Sequence, residues 1–524
     1  MLSTFNSIDD MWSNFKNILL NAMGKHVPSK LTSSRPTYPW ITTAVRRGIN
    51  RKNKAGRKAH KTKKPKDRER YRKLKAQAQR TSREAYNNYV HDIISPEQTE
   101  NPKQFWSFIK SKKKDNSGVA PLRGNDGLIY SDSNNKTDIL NTQFKSAYTQ
   151  EESSLADLGQ SSTTSMPDIS ISFKGVHKLL SELKIHIAAG PDSISPQLLR
   201  EVADIIAPAL TRIYQASLDT GTVPTDWRTA NIVPIFKKGD QSKASNYRPV
   251  SLTAICSKML EHIIHSNVMD HLTYYNILSD SQHGFRARGS CETQLVVTIQ
   301  ELAKTVSEGK QIDAILLDFS KAFDKVAHNR LLLKLKHYGI RGNTLQWIRH
   351  FLTDRTQLVI LEGTHSSTCA VDSGVPQGTV MEPLLFLAFI TDLPESVTSN
   401  ARLFADDCLL YCVVNSNADQ LQLQEDLHQL EKWEKTWQMS FNADKCFTLH
   451  ISKKRKPTEY NYLLHNQMLE VTKNSKYLGV TISNDLSWAN HSSNNKTLNA
   501  RLLARVIMGC ITIWMSIPYL AIKA

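Results

Sequence analysis

A chain of 524 residues, 40% of them apolar, has material for two to four domains with real cores, which excludes both a disordered tail and a cross-linked mini-protein. Its formal net charge of +18 points to a polyanionic partner. Seven scattered cysteines form no CxxC pair, so neither a disulfide framework nor a zinc knuckle is expected and a reducing compartment fits; residues 1–20 lack the basic start and apolar block of an export signal.

The charge is concentrated early. Between Arg46 and Arg83 stand eighteen Lys or Arg against two acids, Asp67 and Glu69. Such a block binds nucleic acid by releasing condensed counterions, or else is a solvated basic helix. Lys63-Lys64-Pro65-Lys66 fits a short nuclear-import pattern. From Tyr71 to Tyr89 the apolar spacing turns helical, with Leu74, Ala78 and Tyr86 on one stripe. Phe105 to Ile109, followed by Lys110 to Lys114, predicts a short helix with a basic exit. Residues 116–126 are turn-rich, and 151–168, heavy in Ser and Thr, read as a linker. Phe173–Leu183 and Leu198–Leu218 predict helices, separated by the turn at Gly190-Pro191-Asp192.

Ile232–Asp240 and Asn246–Leu252 read as extended segments around a basic turn, with Lys237, Lys238 and Arg248 as surface charge unless the two strands pair. Ser257–Leu272 and Thr293–Val306 predict helices; between them, Gln282 to Arg286 suggests close backbone approach to a strand or a template, with Arg286 either on a phosphate or in a structural turn. Ala314–Leu317 is a buried-strand pattern that delivers Asp318 at its end. Helices follow at Leu331–Tyr338 and Thr344–Leu352, then a hairpin across Gly363-Thr364. Ser373-Gly374-Val375-Pro376-Gln377-Gly378 next leads into a helix at Thr379–Ile390. Arg402–Val414 reads as a hairpin with Asp406 and Asp407 at its turn. Two adjacent anions repel, and a hard divalent cation between them offsets that cost; Asp318 supplies a third oxygen donor. A helix carrying Leu423, Leu427, Leu430, Trp433 and Trp437 follows. Residues 506–522 are apolar but too short to span a bilayer, and contain Pro518.

The strings around Asp318 and Asp406-Asp407, with Pro376-Gln377-Gly378 between them, resemble the first, third and second palm motifs of reverse transcriptases. Their surroundings, from about Pro191 to about Trp488, are similar to those of non-LTR (LINE-type, jockey-like) retrotransposons. The resemblance implies an α/β (α+β) fold: right-hand fingers and palm with an antiparallel palm sheet backed by helices, a partial thumb and a basic helical N-terminal extension. It divides the chain into that extension (1–115), a linker and template-contacting segment (116–185), the polymerase domain (186–484) and a truncated thumb or divergent tail (485–524), starting after the place of the family's upstream endonuclease.

The implied activity is RNA-directed DNA polymerisation. Two Mg²⁺ ions, with Mn²⁺ as a substitute, would be held by Asp318 and Asp406 with Asp407 assisting, and Lys445 would help pyrophosphate leave. Lys237, Lys238 and Arg248 would face the triphosphate, and Phe319, Gly374, Pro376, Gln377 and Gly378 the nascent pair. Phe323 would lie under the sugar, where its ring excludes a 2′-OH. Arg286, Tyr477, Leu478 and Gly479 would hold template and primer. Partners are then an RNA template, a DNA primer or target and dNTPs, with no membrane; the implied location is the nucleus after cytoplasmic synthesis, and oligomeric state is open. Two departures stand out: Ile187 where relatives carry a lysine, and Glu382 where they carry a glycine, a carboxylate expected to crowd the helix or perturb metal binding. The alternative is an inactive retroelement fragment that only binds RNA or DNA.

Overall fold

A computed structural model describes residues 7–27, 40–94, 118–161 and 163–487. The expected helix at 105–109 and the apolar run at 506–522 lie outside the described residues. The chain divides into two compact units, one of residues 22–118 and one of 1–21 with 119–524.

The smaller unit is a helical pair, Thr43–Thr62 and Pro65–Ile94. Thr42 caps the first helix by accepting from the Val45 N–H, and Lys63, in the left-handed region, closes it. Pro65 then opens the second helix, where its missing N–H costs nothing. The stripe predicted at 71–89 is therefore the middle of a longer helix, and the basic block upstream of it is helical too.

In the larger unit a five-stranded sheet runs in the order Glu470–Val471, Phe447–Ile451, Gln311–Asp318, Asp407–Val414, Asn400–Phe404. Side chains alternate across it. Ile312 and Ala314 pack with Leu295, Ile299, Leu302 and Val306 of the helix Cys291–Ser307. Ile315 and Leu317 face the opposite core, which contains the helices Met381–Ile390 and Asn417–Trp437. Met381 and Leu384 to Ile390 are all buried, so that helix is apolar on every side because every side is covered. A second sheet pairs Thr229–Phe236 antiparallel with Tyr247–Leu252 and parallel with Arg355–Leu361. The two extended segments around the basic turn do form a hairpin.

Three expectations are corrected. Residues 8–26 form a helix whose Trp12 packs edge-on against Trp227 at 5.0 Å and donates to Asp226 at 3.0 Å, so the N-terminal segment is not all basic extension. The helix expected at 198–218 is two helices, Pro196–Glu201 and Ala203–Thr220. The described residues of 151–168 carry no helix or strand but are not a loose linker: Glu151 accepts from the backbone N–H groups of Asn329 and Arg330 at 3.0 Å each, and Met166 N–H bonds to Gly339 O at 2.9 Å. Among the described residues no helix is long and apolar enough to cross a membrane.

Candidate active site

Asp318 ends its strand and Asp407 begins the neighbouring one, and the two are direct cross-strand partners. Opposite residues of an antiparallel pair project to the same face with Cβ atoms about 5 Å apart. Asp406 precedes Asp407 in the two-residue turn after Phe404, where Ala405 has φ 53°. The sequence made Asp406 the principal partner of Asp318; the register puts Asp407 directly across from it. Asp407 lies open to solvent. The protein packed around it, together with the charges of Asp406 and Asp318, still pushes its carboxyl up to about 6.

Among the described residues no group of three or more His, Cys, Asp or Glu side chains is gathered closely enough to hold a metal ion. The expected three-carboxylate cage is thus not preformed. The donor set nonetheless fits a hard divalent cation: all oxygen, like-charged, and held at the ends of two paired strands, where a cation offsets the repulsion that raises Asp407. Lys445 Nζ lies 3.3 Å from Asp318 Oδ2 and supplies part of that compensation.

The backbone around these carboxylates is fixed from two sides. Asp318 O accepts from Asn442 N–H at 2.7 Å, and Ser320 N–H donates to Ser440 O at 2.8 Å. On the other side Gln282, 3% exposed, takes the Ala405 N–H on its Oε1 at 2.9 Å and the Gly284 N–H at 2.7 Å. A Cβ on Gly284 would meet Ala405 N at 2.3 Å. The glycine near 284 therefore serves close approach to a strand end, and Gln282 is a positioning residue for the Asp406 turn. Sequence reasoning passed over it because its partner lies far along the chain.

Several expected contacts are redirected. Phe319 is 4% exposed and stacks on Phe441 at 4.3 Å, so its ring belongs to the core rather than to a nucleotide pocket. Arg286 donates to Ser279 O at 2.8 Å and Leu278 O at 3.3 Å and pairs with Asp280, which makes it a loop brace. Gly374, at φ 86°, is required because a Cβ there would lie 2.7 Å from Asp324 O. Gln377 donates to Asp324 Oδ1 at 2.9 Å, its carbonyl accepts from Ser251 N–H at 2.8 Å, and Pro376 O accepts from Thr379. The Pro376-Gln377-Gly378 segment thus ties the second sheet to Asp324. Tyr477 is buried with its hydroxyl 3.2 Å from Gln294 Nε2, and Leu478 and Gly479, both at positive φ, form the hairpin turn to Val480–Ser483.

Phe323 packs on Phe386 at 4.4 Å and edge-on to Phe285 at 6.3 Å. Lys237 and Lys238 are exposed beyond the hairpin strand, and the Lys237 charge opposes the rise in Asp407. Arg248 is exposed and bears in the same way on Asp324 and Glu382.

Glu382 sits in its helix without displacing it. Its Oε2 accepts the Gly378 N–H at 2.6 Å in the first turn of the helix Met381–Ile390, where a carboxylate complements the helix dipole. Burial, with Asp324 adding to it, pushes Glu382 up from its ordinary 4.5 to about 7. The folded chain then holds this proton more tightly than the unfolded chain, so stability falls as pH rises from 4.5 to about 7. Glu382→Gln, which keeps the acceptor, is expected to flatten that fall and to raise stability at pH 8 by about 1 kcal/mol. Urea midpoints between pH 4 and 8 measure it, and parallel curves for both chains would contradict the assignment.

Residues 235–482 match the family model of the reverse transcriptase (RNA-dependent DNA polymerase). That match spans just under half of the chain and makes the segment similar, at family level, to the reverse transcriptase domains of non-LTR retrotransposons of the jockey type. It is similar to the probable RNA-directed DNA polymerase from transposon BS of Drosophila melanogaster, 26% identical over 481 residues that cover 86% of this chain and 52% of that protein. It is also similar to the RNA-directed DNA polymerase from mobile element jockey of Drosophila funebris, 25% identical over 509 residues, covering 93% and 55%. A shorter likeness, 28% over 211 residues covering 37% and 29%, is to the Pol polyprotein from type-1 retrotransposable element R2 of Popillia japonica. The chain spans about half the length of the first two relatives.

Proposed function

We propose that this chain is an RNA-directed DNA polymerase that extends a DNA primer on an RNA template with dNTPs, its five-stranded sheet serving as the palm and the Thr229–Leu252 hairpin as part of the fingers. The observation that carries the reading is the pairing of Asp318 with Asp407 at one end of that sheet, with Asp406 in the adjoining turn. Asp318 and Asp406, assisted by Asp407, would hold Mg²⁺, or Mn²⁺ in its place, which when bound lowers the pKa of a primer 3′-OH and neutralises charge on the triphosphate. Lys445, exposed and 3.3 Å from Asp318 Oδ2, would neutralise charge on the departing pyrophosphate. Lys237 and Arg248 stand where added negative charge is met by cations, Arg248 as a fork for two phosphate oxygens. The basic helices of residues 43–94 supply sequence-independent attraction for the nucleic acid, and the reaction is placed in the nucleus, where a genomic strand can serve as primer.

Phe323, held between Phe386 and Phe285, forms the wall against a ribose 2′-OH. Phe323→Val is expected to raise NTP use relative to dNTP by about tenfold or more. Primer extension by the purified chain on RNA, with dNTPs or NTPs, tests both statements. DNA synthesis on RNA with the ratio shifted in Phe323→Val supports them. Binding of RNA without extension by the parent chain would overturn the polymerase reading in favour of a nucleic-acid-binding fragment, and extension with an unshifted ratio would remove Phe323 from the sugar site.

A further inference from the structure

The strand Phe447–Ile451 leaves the sheet into Lys453-Lys454-Arg455-Lys456-Pro457, four consecutive cations followed by a proline, all exposed. Among the described residues none of the four pairs with a carboxylate, and no backbone group from 453 to 457 bonds to another backbone group. The only backbone bond within the arch is from Lys454 N–H to Ser452 Oγ at 3.0 Å.

The ends of this arch are fixed. Ser452 N–H donates to Asn484 O at 2.9 Å. Thr458 N–H donates to Gln311 Oε1 at 2.9 Å, and Thr458 O accepts from Gln311 Nε2 at 2.7 Å and Gln420 Nε2 at 3.2 Å. Both glutamines also donate to Asp313, which is wholly buried and further bonded by His450 and the Tyr462 hydroxyl. A buried carboxylate with four partners is a costly device to leave half satisfied. Here it anchors a short non-helical segment whose carbonyls and cationic side chains remain available, with the Lys454 N–H alone turned back onto Ser452.

The placement argues against a part in nucleotide transfer. Ile451 pairs with Ile312 and Phe447 with Leu316, so the arch emerges at the end of the sheet opposite Asp318. At about 3.3 Å per residue the two ends are roughly 20 Å apart. The Lys63-Lys64-Pro65-Lys66 string, by contrast, is locked into a helix junction: Lys63 N–H is bound to Ala59 O, and Pro65 starts the next helix. It presents no extended main chain.

We infer that Lys453–Lys456 is the docking segment for a nuclear-import adaptor, a partner whose acidic groove takes a lysine-rich peptide by its side-chain charges and its free backbone together. This goes beyond the polymerase assignment and does not depend on it. The test uses the full chain, a purified armadillo-repeat import adaptor and a labelled RNA hairpin, with binding followed by fluorescence anisotropy and each variant's melting curve checked. Lys454→Ala with Arg455→Ala is expected to weaken adaptor binding at least tenfold with RNA affinity and melting unchanged; Lys454→Arg retains binding, as does Lys63→Ala with Lys64→Ala. Adaptor binding that survives the loop variant, or is lost in the Lys63/Lys64 variant instead, overturns the inference. So does a loop variant that loses RNA affinity in place of adaptor affinity, since the partner would then be nucleic acid.

Discussion

Asp318→Ala is expected to reduce dNTP incorporation by about a thousandfold or more while leaving the chain folded, because it removes one oxygen donor from the centre and breaks no buried network. Asp318 is bonded through its backbone to Asn442 and Cys446, contacts that alanine keeps. The side chain's ion pair with Lys445 is between groups 40% and 59% exposed, and pairs of that kind contribute little. Its other charged neighbour is Asp407, whose carboxyl is pushed up by burial and by the Asp406 and Asp318 charges. Removing Asp318 relieves part of that repulsion. Asp407 then returns toward its ordinary 3.8, and the decline in stability between pH 3.8 and 6 that its raised value produces becomes shallower. Activity lost together with an unchanged or raised melting temperature at pH 7 is the expected pair of results, from primer extension and calorimetry. Activity lost because the chain unfolds would contradict it.

The largest loss of stability is expected at Arg330, far less conspicuous in the sequence. Arg330 pairs with Glu151 with only 3% of its side chain exposed, against 13% for the glutamate. Its guanidinium donates to Thr436 O and Ser154 O at 2.9 Å each and to Glu152 O at 3.2 Å. Glu151 in turn takes the Asn329 and Arg330 N–H groups at the start of the helix His328–His337. Arg330→Ala leaves three carbonyls without this donor and the Glu151 carboxylate without its cation, and breaking one side of a buried pair costs about 3–5 kcal/mol. Arg330→Lys, which restores a charge without the fork, recovers only part of this. Urea unfolding of the parent and both variants measures the series, and an unchanged midpoint for Arg330→Ala would show that the strap at 151–154 is not fastened as described.

Local pattern carried much of this architecture. The stripe Leu295, Ile299, Leu302, Val306 predicts 293–306, and the helix runs Cys291–Ser307 with a capping box between Ser290 and Thr293. Asp318 at a strand end and the Asp406-Asp407 hairpin were legible because an apolar run and a polar pair mark a strand and its turn within a few residues. What stayed hidden depends on partners remote in the chain. Nothing local distinguishes Gln282 from a surface amide until Ala405 is beside it, or Glu151 from a linker acid until Arg330 is. Phe319 was assigned by its place in a motif, yet packing turned its ring into the core, while of the two readings open for Arg286 the structural turn holds. The helix Ile8–His26 differs from the basic extension in which the sequence placed it: Ile8, Met11, Trp12, Phe15 and Leu19 form a buried apolar stripe.

Whether the carboxylates at the end of the Gln311–Asp318 and Asp407–Val414 strands make a cation-dependent nucleotide-transfer centre can be decided by a single experiment. It is single-turnover incorporation of one dNTP on a preformed RNA–primer complex as Mg²⁺ is titrated, in the parent and in Asp406→Asn. Incorporation is expected to rise with Mg²⁺ in the parent, to stop with a chelator, and to be absent from Asp406→Asn although the RNA–primer duplex stays bound. Incorporation of equal rate in Asp406→Asn, or none in the parent at any Mg²⁺ concentration with the duplex bound, would contradict it.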